Sequence, residues 1–193
     1  MGLREQIERY IPFYEQEERD KTAILHALET RPLVFSREDT LCHMTASAWV
    51  VNRDRSQVLM AYHNLYDSWS WLGGHADGEQ DLLAVALREV REESGLRQVA
   101  PVTENIFSLE VLTVDGHEKR GAYVSSHLHL NVTYLVEGDD REPLTACPGE
   151  NSGVAWFQRD KAVEASSEPW FQERIYRKLN ARLEQFCATD GPQ

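Results

Sequence analysis

Apolar and polar residues follow two different periods along this chain. Segments rich in β-branched and aromatic residues, typical of strands, lie at residues 44–51, 57–62, 106–114, 123–136 and 153–157. The stretch Asn52-Arg53-Asp54-Arg55, between the first two segments, is typical of a polar hairpin turn. Strands lie on both sides of a central helical segment, and a longer helix follows them. We therefore predict an α/β fold in which helices cover a mixed sheet.

The N-terminal region predicts a helical extension. Apolar residues share one face of a first helix that ends before Pro12, namely Leu3, Ile7, Tyr10 and Ile11. A second helix over residues 17–28 carries Ile24 and Leu28. We expect these faces to pack on the main domain, and a dimer contact is the alternative. The predicted boundary divides the chain into residues 1–39, the helical extension, and residues 40–193, the main domain.

The closing segment, residues 169–186, predicts a long amphipathic helix. Its apolar residues recur at helical spacing and form one stripe, which consists of Phe171, Ile175, Leu179, Leu183 and Phe186. We interpret this stripe as the face that packs on the core.

A cluster of carboxylates in the middle of the chain carries the first chemical signal. Glu89, Glu92 and Glu93 stand three and four residues apart, which places them on one face of a helix. Like charges at this spacing repel one another, so they are either solvated on an exposed face or stabilised by a cation. Mg²⁺ and Mn²⁺ favour such oxygen ligands, together with phosphate oxygens and waters. The pattern indicates metal-assisted phosphate chemistry, with an ordinary solvated helix as the alternative.

The residues around this cluster resemble the Nudix box. The family pattern runs Gly, five residues, Glu, seven residues, Arg-Glu, an apolar residue, any residue, Glu-Glu, any residue, Gly and an apolar residue. Eight of the nine specified positions match, and these are Gly74, Arg88, Glu89, Val90, Glu92, Glu93, Gly95 and Leu96. The departure is Gln80, which stands where the family has its first Glu and which lies between Glu79 and Asp81. This difference bears on the number of metals more than on the family.

The local physics of the box predicts a glycine pair, then a turn-forming loop, and then a helix. Gly73 and Gly74 allow other groups to come close to the backbone. Either Asp77 or Asp81 is expected to cap a helix that begins near Gln80. The residues predicted to face the core are Leu83, Ala86 or Leu87, and Val90, and Gly95 is expected to end the helix.

The Nudix resemblance implies an α/β/α sandwich with a mixed sheet, firm over about residues 43–160. It implies a hydrolase that cleaves a phosphoanhydride bond in a nucleoside diphosphate linked to another moiety, with Mg²⁺ or Mn²⁺ as cofactor. The implied metal ligands are Glu89, Glu92, Glu93, the backbone carbonyl of Gly73 or Gly74, and one carboxylate from a late loop. Glu150 is the candidate for that carboxylate, with Asp139 and Asp140 as alternatives.

The same resemblance implies catalytic roles within the box. Glu89 is the candidate general base toward the attacking water, and Glu93 is the second catalytic carboxylate. Arg88 is expected to hold a ligand carboxylate in its productive rotamer, and an ordinary surface ion pair is the alternative.

Candidate substrate contacts flank the box. Trp71 leads into the glycine pair and, like Trp69, offers an aromatic face for stacking on a base, although strand tryptophans commonly belong to the core. His75 directly follows the glycines, and His129 is the third candidate contact.

Several histidines raise a second hypothesis. His43 opens the first strand of the body, and His127 and His129 share one strand face. With His75, this arrangement resembles isopentenyl diphosphate isomerase, a Nudix relative whose metal site uses histidines at similar places. That enzyme has a cysteine where this chain has Gly73, so the isomerase stays the alternative.

A third hypothesis is a nucleotide-sensing module without catalysis. Such regulators are expected to have a decayed box and a separate basic DNA-binding domain. Gln80 is the sole sign of decay in this sequence, and no basic domain is evident.

Composition limits the partners. A net charge of −12 opposes non-specific binding to nucleic-acid polymers, although it allows small phosphates whose charge a metal neutralises.

The three cysteines, Cys42, Cys147 and Cys187, have neither a disulfide pattern nor zinc-site spacing. No apolar run approaches the roughly 20 residues that span a bilayer, and the charged N-terminus differs from a secretory signal. We expect a cytoplasmic protein with a small, nucleotide-derived phosphate substrate and no membrane partner.

Overall fold

The computed structural model describes residues 1–119 and 121–189, which form ten strands and six α-helices. The strands are β1 (Cys42–Val51), β2 (Gln57–His63), β3 (Ser68–Ser70), β4 (Leu72–His75), β5 (Val99–Pro101), β6 (Ser108–Val114), β7 (His117–Lys119), β8 (Ala122–Val124), β9 (His127–Gly138) and β10 (Asn151–Gln158). The helices are α1 (Leu3–Arg9), α2 (Glu15–Thr30), α3 (Leu82–Ser94), α4 (Arg159–Ala165), α5 (Pro169–Phe171) and α6 (Arg177–Thr189). Among the described residues, no helix combines the length and the apolar character needed to cross a bilayer.

The strands confirm the predicted α/β class. Hydrogen bonding orders the main path of the sheet as β10, β2, β1, β9 and β5, while β3 pairs with β2, β4 with β1, and β6 with β9. The strand predicted at residues 123–136 is divided, because β8 ends at Val124 and pairs with β7 in a separate ribbon, and β9 starts at His127. The short strands β3, β4, β5 and β7 were not predicted, since three or four residues carry too little periodicity to be recognised.

The chain divides into two compact units. The first contains Met1–Ala48, Gly73–Glu89 and Pro101–Leu135, and the second contains Trp49–Leu72, Val90–Ala100 and Val136–Gln193. Strands β1 and β9 and helix α3 each begin in the first unit and end in the second. The boundary predicted at residues 39/40 stays a prediction.

In the first unit, the N-terminal helices pack on the sheet. Helix α2 contacts β6, and Ile7 and Ile24 are fully buried, as expected for a face that covers the domain. Ile11 was predicted on the same stripe but is 80% exposed. The reason is that α1 ends at Arg9, so the helical periodicity does not extend to this residue.

A buried glutamate ties α2 to the sheet in this unit. The Glu17 carboxylate accepts hydrogen bonds from the Tyr10 hydroxyl (2.6 Å), the Phe13 backbone N–H (2.6 Å) and the Ser108 hydroxyl (2.7 Å). Its side chain has no exposed surface. A buried carboxylate is tolerated when several donors replace its lost water. The helical extension is therefore held by polar contacts as well as by apolar ones.

A network of buried side-chain hydrogen bonds continues from Glu17 across β6, β9 and β1. The Glu110 carboxylate accepts hydrogen bonds from Thr133 (2.8 Å) and from the Asn131 amide (3.0 Å). The side-chain carbonyl of Asn131 then accepts hydrogen bonds from the hydroxyls of Thr45 and Ser47, both at 2.9 Å. This network fixes the register of β9 against β1, because a one-residue slip would separate every pair.

In the second unit, β2 pairs antiparallel with β3 and β10. The closing segment is one helical run in which a π-helical turn, Gln172–Tyr176, joins α5 to α6. Ile175, Leu179 and Leu183 are fully buried, so the predicted core stripe is confirmed at its centre. The Tyr176 ring stacks on Trp49, with a centroid distance of 5.5 Å.

The role of Glu17 gives a direct test of how the N-terminal helices are held. We expect Glu17→Ala to lower the free energy of unfolding by about 3 kcal/mol, because the donors that Glu17 satisfies stay buried without an acceptor. Glu18→Ala is the matched control, since Glu18 is the next residue on the same helix and is exposed. Chemical denaturation of both variants measures the difference, and equal stabilities would contradict the role given to Glu17.

Candidate functional site

Helix α3 carries the carboxylates of the box. The Asp81 carboxylate accepts a hydrogen bond from the Ala84 backbone N–H (3.0 Å), so the predicted cap is Asp81. The other candidate cap, Asp77, forms instead a bidentate ion pair with Arg37 at 2.6 and 2.7 Å. Gly95, with a φ of +76°, follows the last helical residue, as predicted.

At the N-terminal end of α3, the buried apolar position is one residue earlier than predicted. Ala86 and Val90 are buried, but Leu83 is half-buried, and Leu82 and Val85 fill the core instead. The helix starts at Leu82, two residues later than the predicted start near Gln80. Gln80 itself lies in the preceding loop and is exposed.

The three box carboxylates differ in environment. Glu89 and Glu93 are 9% and 5% exposed, whereas Glu92 is exposed. The Arg88 guanidinium donates a hydrogen bond to Glu89 at 2.8 Å, which is the contact expected to hold that carboxylate in place. The backbone carbonyl of Glu93 accepts a hydrogen bond from the buried Asn151 amide at 3.0 Å. The buried pair contradicts a purely solvated helix face, since buried carboxylates require compensating partners.

Gly74 touches the Glu89 carboxylate. A Cβ built on Gly74 would lie 2.5 Å from Glu89 Cδ and 2.6 Å from Oε2, so no larger residue fits without moving the carboxylate. At Gly73 a Cβ would lie 2.5 Å from the Ala46 carbonyl oxygen and 2.7 Å from Ser47 Cα. The glycine pair therefore lets β4 lie against β1 on one side and against the Glu89 carboxylate on the other.

Four histidines converge next to the glycine pair of β4. His43 on β1, His75 on β4 and His129 on β9 place ring nitrogens within 4.8 Å of one another. His127, also on β9, places its Nε2 atom 3.2 Å from Nε2 of His129. The resemblance to the isomerase raised a histidine metal site as an alternative, but hydrophobic periodicity gave no sign of this convergence, which depends on the pairing of β4 and β9 with β1.

Burial disfavours the charged form of two of these rings. Desolvation, together with the smaller effects of the neighbouring His75 and His43, lowers the pKa of His129 to about 2. Desolvation also lowers the pKa of His43, against a smaller opposing effect from its hydrogen bond to the Asp39 backbone. Neutral imidazoles are the form that binds metals.

Asp39 was not recognised from the sequence as part of this site. Its carboxylate pairs with Arg31 through two contacts of 2.6 Å and accepts hydrogen bonds from the backbone N–H groups of Leu41 and Cys42. The hydrogen bond from Arg31 is the main cause that lowers the pKa of Asp39 to about 2. The Asp39 backbone carbonyl lies 3.1 Å from His43 Nδ1, so this turn also orients the histidine. A lone Asp before a strand gives no signal for such a role.

The remaining candidates lie in the second unit. Trp71 packs edge-on against Phe171 and Tyr176, with centroid distances of 6.2 and 5.9 Å. Glu150 has an exposed side chain in the turn before β10, and its metal role remains a prediction. Among the alternatives to Glu150, Asp139 pairs with Arg141 and Asp140 accepts a hydrogen bond from Asn52.

The two glycines are expected to respond differently to substitution. Gly73→Ala should lower the free energy of unfolding by about 1–3 kcal/mol, because the new methyl group meets backbone atoms that cannot move aside. Gly74→Ala should lower it by less than about 1 kcal/mol, because the methyl group meets the end of a side chain that can rotate away. Denaturation curves of the two variants measure the contrast, and a reversed order would contradict the packing described for β4.

Comparison with solved structures finds the same fold in other proteins. The chain is similar to a C. elegans Ap4A hydrolase seen in a binary complex, with 18% identity over 74% of this chain and 98% of that chain and a TM-score of 0.55. It is similar to a Nudix hydrolase from M. smegmatis, with 16% identity over 78% and 89% of the two chains and a TM-score of 0.52. A NUDIX-family hydrolase from Clostridium perfringens shares 18% identity over 72% and 97%, with a TM-score of 0.50. At these identities the likeness establishes the fold alone.

The family itself follows from the sequence. A search among curated proteins finds no match. The family model described as the NUDIX domain, however, matches residues 42–179, which is more than half of the chain and includes the whole box. The resemblance seen in the box is thereby confirmed, and the chain belongs to the NUDIX family.

Proposed function

We propose that this NUDIX protein is a divalent-metal-dependent hydrolase that cleaves a phosphoanhydride bond in a nucleoside diphosphate linked to another moiety. The observation that carries the proposal is the Glu89 carboxylate, which is nearly buried, is held by Arg88, and lies against the Gly74 backbone. A buried carboxylate beside the glycine pair of β4 offers oxygen ligands of the kind that Mg²⁺ and Mn²⁺ prefer.

The donor set fits such an ion. Glu92 and Glu93 lie three and four residues after Glu89 on an unbroken helix, so both stand one turn along from Glu89. These three residues and the Gly74 carbonyl would hold the metal. When bound, a divalent ion of this class neutralises phosphate charge and lowers the pKa of a coordinated water.

The side chains of the chain supply the remaining steps. Glu89 accepts the proton of the attacking water as its oxygen bonds to phosphorus and the bridging P–O bond breaks. Arg88 keeps the Glu89 carboxylate in one rotamer through their hydrogen bond of 2.8 Å, so that the base is positioned before the substrate arrives. Arg88 is thus a positioning residue in this proposal.

The substrate class rests on the family and is broader than one compound. The structural neighbour named as an Ap4A hydrolase makes dinucleoside polyphosphates a natural class to test, beside nucleotide sugars and nucleoside di- and triphosphates. Trp71, His75 and His129 stay proposed substrate contacts. A cytoplasmic location likewise stays a proposal.

The decisive substitution is Glu93→Gln, which removes a charge while keeping the size of the side chain. We expect the rate of metal-dependent release of phosphate or nucleotide to fall by several powers of ten. Loss of a metal ligand weakens the stabilisation of the negative charge that develops in the transition state. Glu29→Gln is the matched control, since Glu29 is exposed at the end of α2. Each protein is assayed on the substrate panel with and without Mg²⁺ or Mn²⁺, and its fold is checked by circular dichroism.

Other outcomes of this assay distinguish the alternatives. Normal turnover by the folded Glu93→Gln variant would remove Glu93 from the metal site. If the wild-type protein bound nucleotides but did not hydrolyse them, a sensing module would be favoured. The Gln80→Glu variant would then test whether the altered box causes the lack of hydrolysis. Isomer formation from isopentenyl diphosphate would favour the isomerase alternative.

A further inference from the structure

The histidine cluster lies outside the carboxylate set of the proposed hydrolase. His43, His75 and His129 come from three different strands of the first unit, β1, β4 and β9. Two hydrogen bonds hold these strands together. The Ala76 backbone N–H donates to the Met44 carbonyl (3.1 Å), and the Thr45 hydroxyl on β1 donates to the Asn131 side chain on β9 (2.9 Å). The three rings are therefore positioned by the sheet and not by a mobile loop.

We propose that His43, His75 and His129 form a separate site for a borderline transition-metal dication of the Zn²⁺ class. Three imidazole ligands with a remaining coordination position for water or a phosphate oxygen are a known arrangement for Zn²⁺. Imidazole nitrogens favour Zn²⁺, Co²⁺ or Ni²⁺ over Mg²⁺, which prefers oxygen ligands. The site therefore differs in metal preference from the carboxylates of α3.

The spacing of the rings is close to what such an ion needs. Around a tetrahedral ion with metal–nitrogen bonds of about 2.0–2.1 Å, neighbouring nitrogens lie roughly 3.4 Å apart. The candidate ligand atoms already lie within 4.8 Å of one another. Rotation of the side chains closes a difference of this size without moving the strands.

His43 is oriented as a metal ligand. Its Nδ1 atom lies 3.1 Å from the Asp39 backbone carbonyl, which can only accept, so Nδ1 carries the proton. In the neutral ring, Nε2 then holds a lone pair. This atom is buried and has no hydrogen-bond partner within the described part of the chain. A buried acceptor without a donor is costly, and a cation at the centre of the cluster would satisfy it.

His127 orients His129, the proposed ligand on β9. Its Nδ1 atom donates to the Ser125 backbone carbonyl at 2.8 Å, which leaves Nε2 as the acceptor in the neutral ring. Nε2 of His129, at 3.2 Å, is then the donor to His127, and Nδ1 of His129 keeps the lone pair for the metal. Such an outer hydrogen bond commonly fixes the tautomer of a metal-binding histidine. His127 is therefore a positioning residue.

Hydrogen bonds among the four neutral rings cannot satisfy all of their nitrogens. The N–H groups of His43 and His127 donate to backbone carbonyls, so two N–H donors remain for the four ring lone pairs. The ring centroids of His43 lie 5.2, 4.9 and 5.1 Å from those of His75, His127 and His129. Adding protons instead of a metal would bring like charges together in a poorly solvated place. A single dication resolves both problems.

The test is metal binding itself, which does not depend on hydrolase activity. Purified protein, stripped with a chelator, is titrated with Zn²⁺ in competition with a chromophoric chelator, and with Co²⁺ while its visible absorption is followed. We expect one tight Zn²⁺ per chain and a Co²⁺ spectrum typical of a four- or five-coordinate nitrogen-rich site. His75→Asn and His129→Asn should each weaken Zn²⁺ binding by more than about 100-fold, since even outer-shell changes cost 10- to 100-fold.

Two controls separate this proposal from the hydrolase. His26→Asn changes an exposed histidine on α2 and should leave the affinity unchanged. Glu93→Gln should leave Zn²⁺ binding intact while it abolishes hydrolysis, so failure of one proposal is distinguishable from failure of the other. His127→Asn should weaken Zn²⁺ binding by about 10-fold while the Co²⁺ spectrum persists.

Clear results would overturn the site. Zn²⁺ affinities within threefold of wild type in both His75→Asn and His129→Asn, with the fold intact by circular dichroism, would exclude these rings as ligands. So would wild-type protein that binds no stoichiometric Zn²⁺. Nitrogen-15 NMR of the metal-free protein provides an independent measurement, for which we expect the Nδ1–H tautomer of His43 and the Nε2–H tautomer of His129. The opposite tautomers would contradict the geometry.

Discussion

The close approach of Gly74 to the Glu89 carboxylate is the constraint on which the candidate chemistry depends. A Cβ at this position would lie 2.6 Å from a carboxylate oxygen, so the Glu89 carboxylate can occupy its observed position only because residue 74 has no side chain. The same approach sets the positions of the next residue, His75, and of the carboxylate itself. Backbone packing and charge placement are therefore parts of one arrangement.

A buried hydrogen-bond network in the first unit supports the strand that packs against the glycine pair. Glu17 and Glu110 are both fully buried, and their carboxylates are linked through Ser108. The network ends at Ser47, whose backbone lies directly beside Gly73. Buried polar groups of this kind specify one register when all their partners are present. The N-terminal helices thus contribute to the placement of the glycine pair in β4, although they carry no catalytic candidate.

The sequence predicted features that are encoded locally. The α/β class, the hairpin at Asn52, the cap at Asp81 and the end of α3 at Gly95 each depend on a few neighbouring residues, and each agrees with the structure. Features that depend on contacts between strands far apart in the sequence could not be predicted from it. The burial of Glu17, the role of Asp39 and the convergence of His43 with His129 arise only when separate strands meet, and no periodicity records that. Leu83 was misplaced because the helix starts two residues later than the capping pattern indicated.

The central claim is that α3 presents a divalent-metal site through Glu89, and Mn²⁺ binding followed by electron paramagnetic resonance tests it most directly. Because free aqueous Mn²⁺ gives a strong signal that protein binding suppresses, a titration yields both the affinity and the number of ions. We expect wild-type protein and Glu29→Gln to bind Mn²⁺ equally and Glu89→Gln to bind it at least about tenfold more weakly. Equal binding by wild type and a folded Glu89→Gln variant would contradict the claim.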